Sequence, residues 1–211
     1  MKLYGSARSS AAFRVRIALH LKGVPWTWVP VRLSAAEHRE EGFTALNPAQ
    51  LVPLLVDGPH RLTQSLAIIE YIERTQPGPA LLPADPVDCA YVRACALAVA
   101  CEVHPLNNLR ALDYLRQEAG LDEAAVGRWY AHWIDDGLHK LEVLLADQRR
   151  HGRFLLGDTP TMADAVLVPQ IFNAQRWGCE LGAFPRLMQI FDACMGLPAF
   201  EDARPERQPD F

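Results

Sequence analysis

This chain changes rhythm near residue 76. Before that point, short runs of β-branched and aromatic residues alternate with helical periodicity, while beyond it almost every window reads as helix. One layered core does not mix its signals in that way, so two domains are expected. The junction is marked by Gln76-Pro77-Gly78-Pro79 and Leu82-Pro83-Ala84-Asp85-Pro86. Neither stretch can continue a helix, because proline lacks an amide donor and restricts the residue before it. The expected division is residues 1–76 and 87–211 with a linker over 77–86, and 211 residues suffice for two modest cores.

In the first domain, 2–5 reads as a strand and 10–22 as a helix in which Phe13, Ile17 and Leu21 recur beside Arg14 and Arg16, with Gly23 as its stop. A second strand is expected over 26–33, followed by a short helix capped by Ser34 and running through Glu41. Strands at 54–56 and 61–64 flank the turn signal Asp57-Gly58, and Ser65 is expected to cap a helix through Leu66, Ile69, Tyr71 and Ile72. The order βαβαββα, with helical crossovers joining the first three strands and a hairpin adding the fourth, is a thioredoxin-like α/β arrangement. The second domain is all-α, with helices near 87–118, 122–147, 161–176 and 184–194. Thr161-Met162-Ala163-Asp164 has the pattern of a capping box at the start of the third of these.

Charge and composition narrow the function. With 21 basic and 25 acidic residues the net charge is −4, and no basic block offers a field for nucleic acid. No apolar run approaches the ~18 residues of a membrane span. The amino terminus turns polar by Ser6, where a signal peptide would stay apolar, so a cytoplasmic protein is expected. The five cysteines form no CxxC pair, and their odd number fits a reducing compartment with core packing as their role. No HExxH or zinc-spaced Cys/His cluster occurs, and no metal site is expected.

Three places could carry chemistry. Val52-Pro53, just before a strand, is expected to be cis, which would turn the Val52 amide and carbonyl outward to pair with an extended peptide backbone. Gln64-Ser65, at the mouth of the next helix, adds a hydroxyl, backbone amides and the positive end of a helix dipole, which suit a carboxylate with an adjacent amine. The third is Arg8-Ser9-Ser10-Ala11-Ala12, entering the first helix, where disulfide reductases of this topology carry a CxxC. This chain has no cysteine there. Its hydroxyls and amides could instead stabilise a thiolate borrowed from a bound peptide. Lowering such a thiol by roughly two units from about 8.5 takes about 2.7 kcal/mol, within reach of two hydrogen bonds and a dipole.

The stretch 9–19, SSAAFRVRIAL, with NPAQLVP at 47–53, QSLAIIEY at 64–71 and HPLNNLR at 104–110, resembles the zeta-class glutathione transferases, and within that class the maleylacetoacetate and maleylpyruvate isomerases. The resemblance covers nearly the whole chain. It implies a glutathione transferase fold, a homodimer, and glutathione as cofactor, bound by Ser9, Ser10, Ala11, His38, Val52, Gln64, Ser65, His104 and Asn108. It also implies thiolate addition to a cis double bond, rotation and elimination, with Ser9 and Ser10 serving the sulfur. Arg8, Arg110 and Arg176 would then serve the carboxylates and developing charge of a small anionic substrate. One departure is Ala11, where the family pattern carries cysteine or threonine; a hydrogen bond lost there would cost about 1 to 3 kcal/mol. Two other readings stay open: a transferase that conjugates or dehalogenates small electrophilic acids, and a glutathione-binding scaffold without catalysis.

Overall fold

Strand β1 (Lys2–Gly5) sends Leu3 and Gly5 to one face and buries both. Only glycine fits at the second position, because a Cβ there would lie 2.6 Å from the Trp28 ring. In the computed structural model, which describes residues 1–148 and 150–211, β1 lies inside a four-stranded sheet of order β2-β1-β3-β4. It pairs in parallel with β2 (Thr27–Pro30) and antiparallel with β3 (Leu54–Asp57), which returns as the hairpin strand β4 (His60–Thr63). Helix α1 (Ser10–Lys22) links β1 to β2, and α3 (Ser65–Thr75) follows β4. The thioredoxin-like reading is borne out.

The local differences have physical causes. The helix expected over 34–41 is two 3₁₀ turns, Leu33–Ala35 and Glu37–Arg39, separated by Ala36 at φ +57°, and Ser34 caps nothing. A one-turn helix, α2 (Glu41–Thr44), comes after them. Helix α1 is buried far beyond the one face its periodicity predicts, since Ala12 to Leu19 are all inside. Gly23 stops it as expected, at φ +64°, a conformation that costs glycine nothing. Arg16 lies wholly inside, with Nε donating to the Ala203 carbonyl at 2.9 Å and Nη2 to the Ala7 carbonyl at 3.0 Å. Burial pushes this guanidinium down to about 9, against the attraction of Asp210, and it stays cationic at neutral pH.

The chain divides into two compact units, residues 1–82 with 195–211, and residues 83–194. The last stretch, expected with the helical domain, thus belongs to the sheet unit, where α9 (Pro198–Glu201) contacts α1. The expected linker is also shorter than 77–86. The Glu73 carboxylate accepts the Leu81 amide at 3.0 Å and the Lys22 ammonium at 2.7 Å, which pins the chain as far as Leu81 to the first unit.

The second unit is helical. The single helix expected over 87–118 is instead α4 (Pro86–Leu97), a π-helical segment (Ala98–Val103), a 3₁₀ turn (His104–Leu106) and α5 (Leu109–Gln117). Pro105 cannot donate into a continuous helix, and the Asn108 side chain accepts the Arg110 amide at 3.2 Å to start a new one. Then come α6 (Glu123–Gln148), α7 (Met162–Arg176) and α8 (Pro185–Met195). The buried Glu142 of α6 caps α8 from a distance, accepting the Arg186 and Leu187 amides. Of the cysteines, only Cys95 and Cys194 are buried; Cys101 is exposed and Cys89 and Cys179 half-buried, so core packing explains two of the five.

The capping box opens α7 as expected. Asp164, fully buried, accepts the Thr161 amide at 2.7 Å, the Thr161 hydroxyl at 2.9 Å and the Leu155 amide at 2.9 Å. Burial still lifts its carboxyl to about 6. Asp164→Ala leaves two buried amides without acceptors and is expected to cost about 3 kcal/mol, read as a lower midpoint of chemical denaturation.

Candidate active site

The strand register brings three sequence-distant places to one end of the sheet. Tyr4 pairs with Leu54 and Leu54 with Thr63, so the exit of β1, the entry to β3 and the exit of β4 are neighbours. The segments at that end are Ser6–Ser9, Val52-Pro53 and Gln64-Ser65.

Ser9 is the N-cap of α1, and its Oγ accepts the Ala12 amide at 3.2 Å. A hydroxyl that accepts in this way keeps its own proton free to donate. Ser10 follows, buried, and then Ala11, half-buried; among the described residues no hydrogen bond takes up either amide. The first turn of α1 holds no acidic residue, so the positive end of the helix is not neutralised. Arg8 is exposed, with its guanidinium 4.9 Å from the centre of the Phe211 ring.

Gln64 and Ser65 differ from expectation in role. Gln64 occupies the cap position of α3 with φ +67°, and Ser65 is the first helical residue rather than the cap. A non-glycine residue held at such a φ costs of order 1 to 3 kcal/mol and is characteristic of a functional site. The first turn of α3 also lacks an acid. The Ser65 Oγ lies 3.3 Å from Nη1 of the buried Arg14, which ties the starts of α1 and α3 together.

Val52-Pro53 is cis, as expected. Among the described residues no hydrogen bond uses the Val52 amide or carbonyl, which leaves one donor and one acceptor for an extended peptide. The loop before it is held by Asn47, buried, whose Nδ2 donates to the Leu51 carbonyl at 2.7 Å and whose Oδ1 accepts the Ala49 amide at 3.1 Å. His38 sits half-buried in the second 3₁₀ turn. Burial, and then Arg39, hold its pKa below the ordinary value, so it offers a neutral imidazole.

His104, Asn108, Arg110 and Arg176 belong to the second unit. Asn107, beside the expected Asn108, is the buried one, and its Nδ2 donates to the Tyr130 carbonyl at 3.1 Å. Trp129 Nε1 donates to the Leu106 carbonyl at 2.8 Å. The Tyr130 ring stacks on Trp177 with centroids 4.3 Å apart and planes 8° from parallel. The HPLNNLR segment and Arg176, the neighbour of Trp177, are therefore anchored on one stretch of α6. The Arg110 and Arg176 side chains are exposed, and no hydrogen bond or ion pair among the described residues engages either guanidinium.

Sequence reasoning missed Arg14, Asn47, Asn107 and Tyr130. Arg14 carried a signal, a charge inside an otherwise apolar helical run; the others look like any polar or aromatic residue until the loop closes on them.

Residues 1–74 match the family model for the glutathione S-transferase N-terminal domain, and residues 123–194 match that for the C-terminal domain. The chain belongs to the glutathione S-transferase family. This transferase is 49% identical over 210 residues to a maleylpyruvate isomerase from Ralstonia sp., a match covering 100% of this chain and 99% of the relative. It is 46% identical to the maleylacetoacetate isomerase of Pseudomonas aeruginosa, covering 100% and 98%. Among solved structures, the holo form of a bacterial zeta-class maleylpyruvate isomerase superimposes with a TM-score of 0.97 at 48% identity, covering 100% of this chain and 99% of that one. The zeta-class resemblance read from the motifs is thereby borne out, as is the transferase fold.

The residues at the sheet end suit the transferase cofactor. Glutathione presents a peptide backbone, two carboxylates, an amine and a thiol. Against these stand the unengaged Val52 amide and carbonyl, the acid-free start of α3, and the capped start of α1 with its free amides.

Proposed function

We propose that this transferase is a glutathione-dependent cis–trans isomerase of a maleyl dicarboxylate, maleylpyruvate or maleylacetoacetate. The observation that carries the reading is the start of α1: a serine-capped helix end with unengaged amides, no acid and no cysteine of its own, built to receive a sulfur anion from elsewhere. Full-length likeness to isomerases of both substrates supports it. So does the related maleylacetoacetate isomerase from Anaeromyxobacter dehalogenans solved with GSH in its active site.

Val52 would pair with the cofactor's backbone, and the Ser65 hydroxyl and the amides at the start of α3 would hold a carboxylate, with Gln64 to serve the amine. Ser9 would donate a hydrogen bond from its hydroxyl to the sulfur while its oxygen keeps the Ala12 amide, and the Ser10 and Ala11 amides would face the same charge. Ala11 adds no side-chain donor to this set, which leaves the Ser9 hydroxyl as its side-chain contribution. When bound, glutathione supplies a sulfur nucleophile that adds reversibly to an activated double bond. Arg8, Arg110 and Arg176 each offer a planar fork to the substrate's carboxylates and to charge developing on its oxygen. His38, His104 and Asn108 complete the binding set. The same family likeness supports a homodimer, and the exposed Val87, Leu97 and Tyr114 supply apolar surface for such a contact.

The deciding assay mixes the purified protein with glutathione and each maleyl compound and follows the ultraviolet absorbance of the conjugated enol. Conversion to the fumaryl isomer with no net loss of glutathione is expected. Stoichiometric loss of glutathione would instead make it a conjugating or dehalogenating transferase, and binding without turnover would make it a scaffold.

A further inference from the structure

Ser9 and Arg8 stand on a turn, closed by the Ser9 amide on the Ser6 carbonyl at 3.0 Å, that lies outside both β1 and α1. Side chains hold it. Ala7, 1% exposed, has its amide and its carbonyl taken by opposite charges: the amide donates to Asp210 Oδ2 at 2.9 Å, and the carbonyl accepts from Arg16 Nη2 at 3.0 Å. The other Asp210 oxygen accepts Trp28 Nε1 at 2.8 Å, and Arg16 lies 5.1 Å from the Trp28 ring centre. Next along the chain, Phe211 lies against the Arg8 guanidinium. Hydrogen bonds to ionised groups are roughly twice as strong as neutral ones, so the Ala7 peptide is held more firmly than an ordinary loop peptide.

We propose that Asp210 is a positioning residue: through the Ala7 amide it sets the turn that places the Ser9 hydroxyl at the glutathione sulfur, and Phe211 keeps Arg8 beside it. The proposal rests on the cofactor reading given above. A hydroxyl must stay within about 0.5 Å of its productive place to act on a reacting atom, so a loosened turn weakens sulfur ionisation without removing any group that binds the tripeptide. Asp210 stands 203 positions from Ala7, and among the described residues its one hydrogen bond to the turn is to the Ala7 backbone amide.

The test uses the full chain with saturating glutathione and reads ultraviolet absorbance of the bound thiolate against pH, glutathione affinity by calorimetry, turnover and melting temperature. Asp210→Ala is expected to raise the apparent ionisation pH of the bound sulfur by about one unit and to lower kcat about tenfold, with glutathione Kd and substrate KM within about twofold. Asp210→Asn, which keeps an acceptor but not the charge, falls between, and it carries the test if the alanine variant does not fold. Trp28→Phe removes the second bond to Asp210 and part of the ring against Gly5 and Arg16 but leaves the Ala7 amide its acceptor, and it should ionise the sulfur as the parent does. A lower melting temperature with unchanged sulfur ionisation and kcat would overturn the proposal and make Asp210 an anchor only. If the parent itself leaves the sulfur at its solution value, the cofactor reading fails and takes this role with it. If parent and variants lower it equally, only the role of Asp210 fails.

Discussion

Replacing Ser9 by alanine is expected to lower kcat about a hundredfold while glutathione affinity stays within about twofold, the size of effect seen when one donor to a reacting anion is removed. The cap and the proposed role at the sulfur use different atoms of Ser9. Its oxygen accepts the Ala12 amide as the helix cap, and its proton remains to be donated. Losing the cap costs about 1 kcal/mol of stability for alanine but only a few tenths for glycine. Ser9→Gly therefore separates the roles. It should lose as much kcat as the alanine variant while melting close to the parent. Steady-state kinetics at saturating glutathione, with calorimetry for the cofactor, reads both. Equal losses in glutathione binding and kcat would remove Ser9 from the sulfur and leave it a cap.

Arg176→Ala should act on the other parameter, raising KM for the maleyl substrate about thirtyfold or more while glutathione binding is unchanged. A charge-assisted bond to a carboxylate contributes about 1.5 to 3 kcal/mol, and a bidentate fork lies at the upper end. Arg176 ends α7 exposed, with no ion pair among the described residues to take up its fork, whereas Arg116, Arg186 and Arg204 are all paired with carboxylates. Arg176→Lys keeps the charge but not the fork, and should recover only part of the loss. Its neighbour Trp177 stacks on Tyr130, so the backbone at this position is anchored independently of the guanidinium. The alanine variant should therefore fold normally, and initial rates over a substrate series measure the effect. A fall in kcat with KM unmoved would show that Arg176 does not hold the substrate.

What could be read in advance follows from how local each cause is. Gly23 at a left-handed stop, the 161–164 capping box and the Asp57-Gly58 hairpin depend on a few adjacent residues, and all three are where the sequence places them. The cis Val52-Pro53 peptide was legible because the topology of the neighbouring strands calls for it. The failures come from partners far along the chain. Ser34 looks like a cap, yet Ala36 at positive φ splits the segment into two turns. Arg14 and Arg16 stand beside apolar positions in the sequence, but nothing local shows the Ser65 hydroxyl and the Ala7 and Ala203 carbonyls that receive them in the interior. Residues 107 and 108 are both asparagine; only the closed structure tells the helix cap from the buried tie to Tyr130. Of the candidate site, the sequence offered candidates for the chemistry but not the groups that hold their loops, Arg14, Asn47 and Asn107.

The placement of Ala203 and Asp210 within the sheet unit orders events during synthesis. Residues 83–194 leave the ribosome before residues 195–211, so the helical unit has its full complement of side chains while Arg16 still waits, 187 positions upstream, for the Ala203 carbonyl that will receive it. A nascent chain halted short of Ala203 would carry all of residues 83–194 behind an amino-side unit whose interior cation holds only one of its two carbonyls.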